Sequence, residues 1–231
     1  MIAGYYAHCT ALDACVGQLQ QTLRETGVDE DTIFVFTSDH GDMLGSQGHR
    51  KKQRPWDESI RVPFLLRWPG GLGEDPRETT HCIDAPDLLP TLASLAGLNV
   101  PPTAEGRDLS AAARGELPVG DDEAALLLCV VPFAQYARQQ GGREFRGLRT
   151  PRYTYARDRS GPWLLYDNEA DPHQLENLCG RAEAADLQQR LDALLGRRLA
   201  ERGDAFEPAE AYIRRWGYEV DGLLQIPYTG F

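Results

Sequence analysis

The sequence lacks features that would place it in several protein classes. It has no apolar run near the ~20 residues that a transmembrane helix needs, and its first residues do not follow a signal-peptide pattern. It also lacks an excess of positive charge, because 24 Lys and Arg stand against 35 Asp and Glu and give a formal net charge of −11. Phosphate backbones are bound by basic surfaces, so this charge argues against a nucleic-acid-binding protein.

Paired cysteines are absent as well. The five cysteines are odd in number and form no Cys-x-x-Cys pair: Cys9, Cys15, Cys82, Cys129 and Cys179. This spacing argues against a disulfide framework and against a structural zinc site. We therefore expect buried free thiols, which point to a reducing compartment.

The first half of the chain alternates helical and strand patterns. Apolar residues recur at steps of three and four from Ile2 to Leu23, which predicts an amphipathic helix that ends near Gly27. Residues 32–37 and 61–68 are predicted strands. The first of them is so apolar that it favours a central position in a covered, largely parallel sheet.

The pattern changes further along the chain. A short helix is predicted to be capped near Asp84 or Asp87 and to stop at Gly97, and a Pro- and Gly-rich linker follows. Four strand-like segments are then spaced for an antiparallel meander: ALLLCVVPF, REFRGLRT, RYTYARD and PWLLYDN. A closing amphipathic helix carries its leucines on one side: Leu187, Leu191, Leu194 and Leu195. We expect an α/β part over residues 1–120, a smaller α+β subdomain over 121–203 with an antiparallel sheet and a helix, and a tail over 204–231.

Chemically distinctive residues stand at the end of the first strand. Asp39 and His40 follow it directly, and Lys51 and Lys52 come about a dozen residues later. Sites in α/β sheets collect where strands end, and a carboxylate with an imidazole can ligate a divalent cation. Two simpler interpretations stay open. Asp39 can cap a turn beside a semi-buried histidine, and the lysines can form a solvated basic turn.

Four stretches, in this order along the chain, resemble the sulfatase family of the alkaline-phosphatase-like superfamily. They are the stretch from YYAHCTALD to TSDHGDMLGSQG, then KQRPWDESIRVPFLLRWPG, DAPDLLPTLASLAGLNVPP and LLYDNEADPHQLENL. Together they extend over about residues 1 to 200. The resemblance implies an alkaline-phosphatase-like α/β fold, with a partial mixed or parallel sheet between helices.

The resemblance also implies roles for individual residues. Asp39 and His40 match two ligands of a divalent metal, which is calcium in most members. Lys52, four residues before Trp56, matches a lysine that contacts the sulfate and the leaving-group oxygen, and Lys51 is the alternative alignment. His49 matches no catalytic position and is interpreted as loop. Four further residues are interpreted as a structural block: Asp57, Glu58, Ser59 and Arg61.

The reaction that this resemblance implies is metal-dependent hydrolysis of a sulfate ester, in a small molecule or a sulfated glycan. The family nucleophile is a formylglycine, made from the first residue of a Cys/Ser-x-Pro/Ala-x-Arg motif. None of the five cysteines is followed by that pattern, and we expect that no serine begins it either. The tandem aspartates that supply further metal ligands near the family's N-terminus have no counterpart either, since Asp121 and Asp122 lie in the linker.

We therefore expect the chain to be the C-terminal half of a sulfatase, inactive alone, with the formylglycine in the missing N-terminal half. Three explanations stay open: a truncated gene, a split enzyme that is completed by an N-terminal polypeptide, or a non-catalytic remnant. Two other functions also stay open, a phosphonate or phosphodiester hydrolase of the same superfamily and a sulfatase-like binding module. A chain complete as given would be expected in the cytoplasm.

Overall fold

The computed structural model describes residues 2–226. Within those residues the helices are α1 (Ile2–Glu25), α2 (Asp57–Ile60), α3 (Pro69–Leu72), α4 (Leu88–Leu95), α5 (Ser110–Ala113), α6 (Ala185–Glu201) and α7 (Ala209–Trp216). The strands are β1 (Phe34–Thr37), β2 (Phe64–Arg67), β3 (Ala125–Cys129), β4 (Phe145–Arg149), β5 (Tyr153–Asp158) and β6 (Gly161–Asp167).

The chain divides into two units, which are described separately. The first unit comprises the residues up to Asp39 together with Val62–Thr79 and Ala85–Pro118. The second comprises His40–Arg61, Thr80–Asp84 and the chain from Val119 onward. The domain boundaries expected from the sequence stay a prediction.

β1 and β2 of the first unit form a two-stranded antiparallel sheet. Phe34 lies opposite Arg67, and Thr37 lies opposite Phe64. Both strands are half-buried or exposed along their length. The expectation of a covered, parallel arrangement is therefore wrong for these strands. An apolar composition shows that a strand fits a partly buried surface, but it does not specify the direction of the neighbouring strand.

α1 forms where the apolar period predicts a helix, and the left-handed Gly27 (φ 72°) follows its end. Its apolar stripe is not buried in the described chain. Ile2, Leu12 and Leu19 are all more than half exposed. The periodicity thus predicted the helix correctly, whereas nothing within residues 2–226 buries its apolar face.

α4 begins differently from the predicted capped helix. Asp87 occupies the position before the helix but makes no capping hydrogen bond there. Its fully buried carboxylate instead accepts hydrogen bonds from the backbone N–H of Arg107 at 2.7 Å and from the Arg107 guanidinium at 2.9 Å. Asp87 therefore fixes the loop near Arg107 onto the start of α4. The predicted stop is confirmed at the left-handed Gly97 (φ 69°).

The second unit contains the predicted antiparallel meander. Its four strands pair in the order β3-β4-β5-β6, each antiparallel to the next. Side chains alternate between the two faces of such a sheet, and one face packs against α6. The core on this face includes Leu148, Tyr155 and Leu165 from the strands and Leu191 and Leu195 from α6.

The α/β fold class with an antiparallel C-terminal sheet and a closing helix is thus confirmed. The predicted tail over 204–231 contains α7, where Tyr212 is buried and its hydroxyl donates to Asp204 at 2.5 Å. The end of that predicted tail, residues 227–231, lies outside the described residues.

The five cysteines form no disulfide bond, as expected, but their burial differs from the expectation. Only Cys129 is buried, whereas Cys9 and Cys15 are exposed and Cys82 and Cys179 are half-buried. The prediction of buried thiols is wrong for the two exposed ones, because the helix face that carries Cys9 is uncovered. Among residues 2–226, every helix is too short or too polar to cross a bilayer.

Candidate active site

The segment after β1 carries the residues that the sequence predicts as metal ligands. β1 ends at Thr37, Asp39 is exposed, and His40 is half-buried. The Ser38 hydroxyl donates to Asp39 Oδ1 at 3.4 Å. Asp39 therefore presents its carboxylate at the surface, where a ligand from solvent can reach it.

His40 and Lys52 are in direct contact although they are 12 residues apart. His40 Nδ1 lies 2.7 Å from the Gly41 carbonyl oxygen, and His40 Nε2 lies 2.9 Å from Lys52 Nζ. A carbonyl oxygen only accepts and an ammonium only donates, so Nδ1 carries the hydrogen and Nε2 is the acceptor. The ring is thereby held as one neutral tautomer, with Nε2 as the nitrogen able to ligate a cation.

The two adjacent lysines have different environments. Lys51 is exposed, whereas Lys52 is half-buried and places its ammonium on His40. The backbone at Lys51 is left-handed (φ 62°), which turns the two side chains in different directions. Lys52 is thus the lysine that contacts His40, and its role toward sulfate stays a prediction.

The loop around Lys52 is conformationally unusual. Four of its non-glycine residues adopt left-handed backbone angles: Leu44 (φ 48°), Gln47 (φ 53°), Lys51 (φ 62°) and Gln53 (φ 71°). Each such residue costs on the order of 1–3 kcal/mol unless the surroundings impose it, and residues of this kind cluster at functional sites. Two of the four flank Lys52 directly, so the surrounding contacts hold this lysine in a strained turn.

Asp42 and Met43 hold the loop closed. Asp42 Oδ1 accepts hydrogen bonds from the backbone N–H groups of Leu44 and Lys51, both at 2.9 Å. The Met43 N–H donates to the Lys51 carbonyl at 2.9 Å, and the Met43 side chain is fully buried. These contacts connect the residues just after His40 to the residue just before Lys52, and so they explain why the two side chains meet.

Gly41 provides a close backbone approach at the start of this loop. Its N–H donates to the Ser59 carbonyl at 2.9 Å. A Cβ at position 41 would lie 2.0 Å from the Glu58 carbonyl oxygen, so only glycine fits without movement. Gly41 therefore lets the chain next to His40 pack against the α2 segment.

Asp57 connects this segment to the antiparallel sheet of the same unit. Its carboxylate accepts two hydrogen bonds from the Arg149 guanidinium, at 2.8 and 2.9 Å. Its N–H donates to Gln174 Oε1 at 2.8 Å, and Gln174 Nε2 donates to Asn168 Oδ1 at 2.7 Å. The structural interpretation of Asp57 is confirmed. Arg149 and Gln174 were not singled out from the sequence.

Trp56 adds an apolar connection between the same segment and the antiparallel sheet. It is nearly buried and its Nε1–H donates to the Tyr166 hydroxyl at 3.2 Å. The His49 ring lies 5.5 Å from the Trp56 ring, centroid to centroid. Burial lowers the pKa of His49, and the charge of nearby Arg54 acts in the same direction. The described contact of His49 is thus aromatic packing, in line with its interpretation as a loop residue.

The geometry can now be compared with known proteins. A sequence model of the Sulfatase family matches residues 1–98. The ulvan-active sulfatase of Formosa agariphila is 43% identical to this chain, over an alignment that covers 100% of the chain and 45% of that protein. The chain belongs to the sulfatase family.

Solved structures agree with this sulfatase assignment. One, a protein in complex with its substrate D-glucosamine-2-N,6-O-disulfate, superposes with a TM-score of 0.76 at 28% identity and covers 87% of this chain and 40% of its own. The phosphonate monoester hydrolase of Agrobacterium radiobacter gives a TM-score of 0.67 at 28% identity, with 84% and 40% coverage. The chain spans less than half the length of the relatives it matches.

One stretch of the chain has the residues of the family nucleophile pattern and begins with a serine, contrary to the expectation that none does. Residues 110–114 read Ser-Ala-Ala-Ala-Arg. Ser110 is buried at the start of α5, where its hydroxyl lies 3.2 Å from the Ser94 hydroxyl and its N–H donates to Asp108. A nucleophile has to reach substrate, so this buried serine does not fit that role.

The side chains that follow β1 offer the types of atom that ligate a divalent cation, but they offer few of them. Asp39 and His40 supply an oxygen and a nitrogen. No group of three or more His, Cys, Asp or Glu side chains among residues 2–226 could hold a metal ion. Asp121 and Asp122 of the linker do not add ligands to this site. The Asp122 carboxylate instead forms an ion pair with Arg197 at 2.9 Å.

Proposed function

We propose that this chain supplies part of the active site of a metal-dependent sulfuric ester hydrolase. The observation that supports the proposal best is the 2.9 Å contact between His40 Nε2 and Lys52 Nζ. Two residues that the sequence predicted separately, one as a metal ligand and one as a sulfate-binding cation, meet in space. If this segment were only a solvated basic turn, we would not expect Lys52 to contact His40 Nε2.

In this proposal Asp39 and His40 hold a divalent cation, most simply calcium. Asp39 offers a carboxylate oxygen at the surface, and His40 offers Nε2 because its Nδ1–H is directed to the Gly41 carbonyl. A cation at these donors neutralises sulfate oxygens and stabilises negative charge as it develops. Such a cation would use His40 Nε2, the atom that the Lys52 ammonium contacts in this structure, so that ammonium would be available for substrate.

Lys52 acts on the substrate itself. Its ammonium donates hydrogen bonds to a sulfate oxygen and to the leaving-group oxygen as charge builds on that atom. A group placed in advance costs no reorganisation during the reaction. The strained turn at Lys51 and Gln53 provides such placement.

The nucleophile, in this proposal, is a formylglycine that lies on sequence beyond these 231 residues. The five cysteines do not fit the motif and Ser110 is buried. Hydrolysis therefore requires an upstream polypeptide, whether in the same reading frame or on a separate chain. The relatives' names, such as the ulvan-active sulfatase, support a sulfated carbohydrate as the substrate class.

The first test joins the chain to its upstream coding sequence and measures hydrolysis of 4-nitrophenyl sulfate. In the joined protein, Lys52→Met should lower kcat/KM by about 100-fold or more, whereas the adjacent Lys51→Met serves as the control and should leave it near the parent value. Equal effects at both positions, or an upstream frame with no Cys/Ser-x-Pro/Ala-x-Arg motif, would refute the enzyme proposal.

A second candidate is phosphonate or phosphodiester hydrolysis at the same residues. It is favoured by the likeness to the phosphonate monoester hydrolase, and a cation with a lysine suits phosphoryl groups as well. Rates on matched 4-nitrophenyl sulfate and phosphodiester substrates decide between them. A higher kcat/KM on the sulfate ester supports the sulfatase proposal, and a higher value on the phosphodiester supports the alternative.

A non-catalytic binding module is the third candidate. Two protein donors bind calcium weakly, since this ion prefers six to eight oxygen ligands. Calorimetry of the chain alone should therefore show only weak calcium binding. Tight binding that is lost in Asp39→Asn would show a complete site within the chain and would favour the binding module.

A further inference from the structure

Arg54, two residues after Lys52, is unusually buried for an arginine, with only 5% of its surface exposed. Its Nη1 donates to the Lys52 carbonyl at 2.8 Å and to the Arg50 carbonyl at 3.0 Å. A single guanidinium nitrogen therefore bonds the backbone on both sides of Lys51, the residue at which the turn is left-handed.

The rest of Arg54 is fixed as well. Its guanidinium carbon lies 4.8 Å from the centroid of the Tyr136 ring, within the range of a cation–π contact. Its backbone N–H donates to the Ser59 hydroxyl at 3.3 Å. Burial lowers the pKa of Arg54, and Tyr136 and Asp42 partly offset that effect. Ser59 anchors the main chain of Arg54 and Tyr136 covers its charge.

The direction of the Lys52 side chain depends on this arrangement. The left-handed residues Lys51 and Gln53 turn the chain sharply on each side of Lys52. Such a turn persists only if its surroundings impose it, and a bond to the Lys52 carbonyl fixes the peptide plane just after the Lys52 Cα. The direction of the Lys52 Cα–Cβ bond, from which the side chain extends toward His40, is then determined.

We propose that Arg54 is a positioning residue that holds Lys52 in register with His40. The proposal rests on the proposed function for the role of Lys52 toward sulfate, but the positioning itself is a property of this chain. Arg54 touches neither substrate nor cation in this account and acts only through the Lys52 backbone. Simple core filling is the competing explanation for a buried arginine.

The sequence offers a direct spectroscopic test, because Lys51 and Lys52 are its only lysines. Protein with lysine labelled with ¹³C at the ε position gives two signals, and Lys51→Arg assigns them. The Lys52 ε-methylene should show an NOE to the His40 ring and a shift away from the free-lysine position. Lys51, which is exposed, should show neither.

Arg54→Met removes the donors while keeping an unbranched apolar side chain. We expect the NOE between Lys52 and His40 to be lost and the Lys52 signal to move toward that of Lys51. The matched control is Arg146→Met, which deletes an arginine with 1% exposure that bonds Asp204 and the Cys129 carbonyl. The control destabilises the same unit but should keep the NOE.

An NOE that persists in folded Arg54→Met, or that is lost equally in Arg146→Met, would overturn the proposal. Should Arg54→Met not fold, Arg54→Lys keeps the charge but not the planar guanidinium, and an undiminished NOE in that variant would overturn it as well. The outcome is independent of catalysis. A lost NOE with no sulfate hydrolysis in the joined protein refutes only the proposed function, and hydrolysis with a persistent NOE refutes only the positioning role.

Discussion

Gly41→Ala offers the sharpest test of how the candidate site is built. The added Cβ would lie 2.0 Å from the Glu58 carbonyl oxygen. Real Cβ contacts are essentially never below 3.0 Å, so the two segments must separate by 3.0 − 2.0 = 1.0 Å or more. That movement stretches the 2.9 Å hydrogen bond from the Gly41 N–H to the Ser59 carbonyl.

The expected cost follows from these two effects. Forcing a methyl group into a packed site costs about 1–3 kcal/mol, and a weakened backbone hydrogen bond adds roughly 1 kcal/mol. We therefore expect Gly41→Ala to lower the free energy of unfolding by about 2–4 kcal/mol. Because His40 is the preceding residue, the NOE between Lys52 and His40 should weaken too.

The measurement is urea unfolding of the chain, with Gly196→Ala as the matched control. Gly196 lies inside α6 and has open space around the position of a Cβ. Gly196→Ala should stabilise the protein by about 0.5–1 kcal/mol, because alanine has a higher helix propensity than glycine. A Gly41→Ala protein as stable as the parent would show that the close approach to Glu58 does not exist in solution.

Two further predictions concern ion pairs in the second unit. In a double-mutant cycle of Asp57→Asn and Arg149→Met, the two-bond geometry and the 15% exposure of both side chains should give a coupling energy of about 1–3 kcal/mol by urea unfolding. Additive effects would contradict the contact. The hydrogen bond from Arg138 lowers the pKa of Glu210 from 4.5 to about 2. Its stabilisation is therefore complete above pH 4.5 and is lost as the pH falls toward 2. Melting temperatures over that window should fall less in Glu210→Gln than in the parent, and identical slopes would count against this pair.

Much of the local structure was predictable from the sequence. Apolar periodicity indicates which face of a segment is apolar. It correctly predicted α1 from apolar residues at steps of three and four, the strands of the meander, and α6 from its leucines. The left-handed Gly27 and Gly97 ended helices where expected. The direction of β2 relative to β1 was not predictable, since pairing is decided by the path of the intervening chain.

The candidate site was likewise predictable only in part. The sequence singled out Asp39, His40 and Lys52, because residue types and order along the chain carry the family resemblance. It was silent on Arg54, whose role is visible only when its guanidinium is seen to bond the Lys52 carbonyl. A buried arginine and a solvated one look alike in a basic stretch.

The sequence by itself thus determined the family, the elements and the residue types of the site. Only the tertiary structure decided that the His40–Arg61 segment belongs to the same unit as the antiparallel sheet. The physical reason is that its connections join residues distant in the chain, as in the bond of Asp57 to Arg149 and of Trp56 to Tyr166. Such contacts leave no local periodicity, so they become apparent only when the chain is folded.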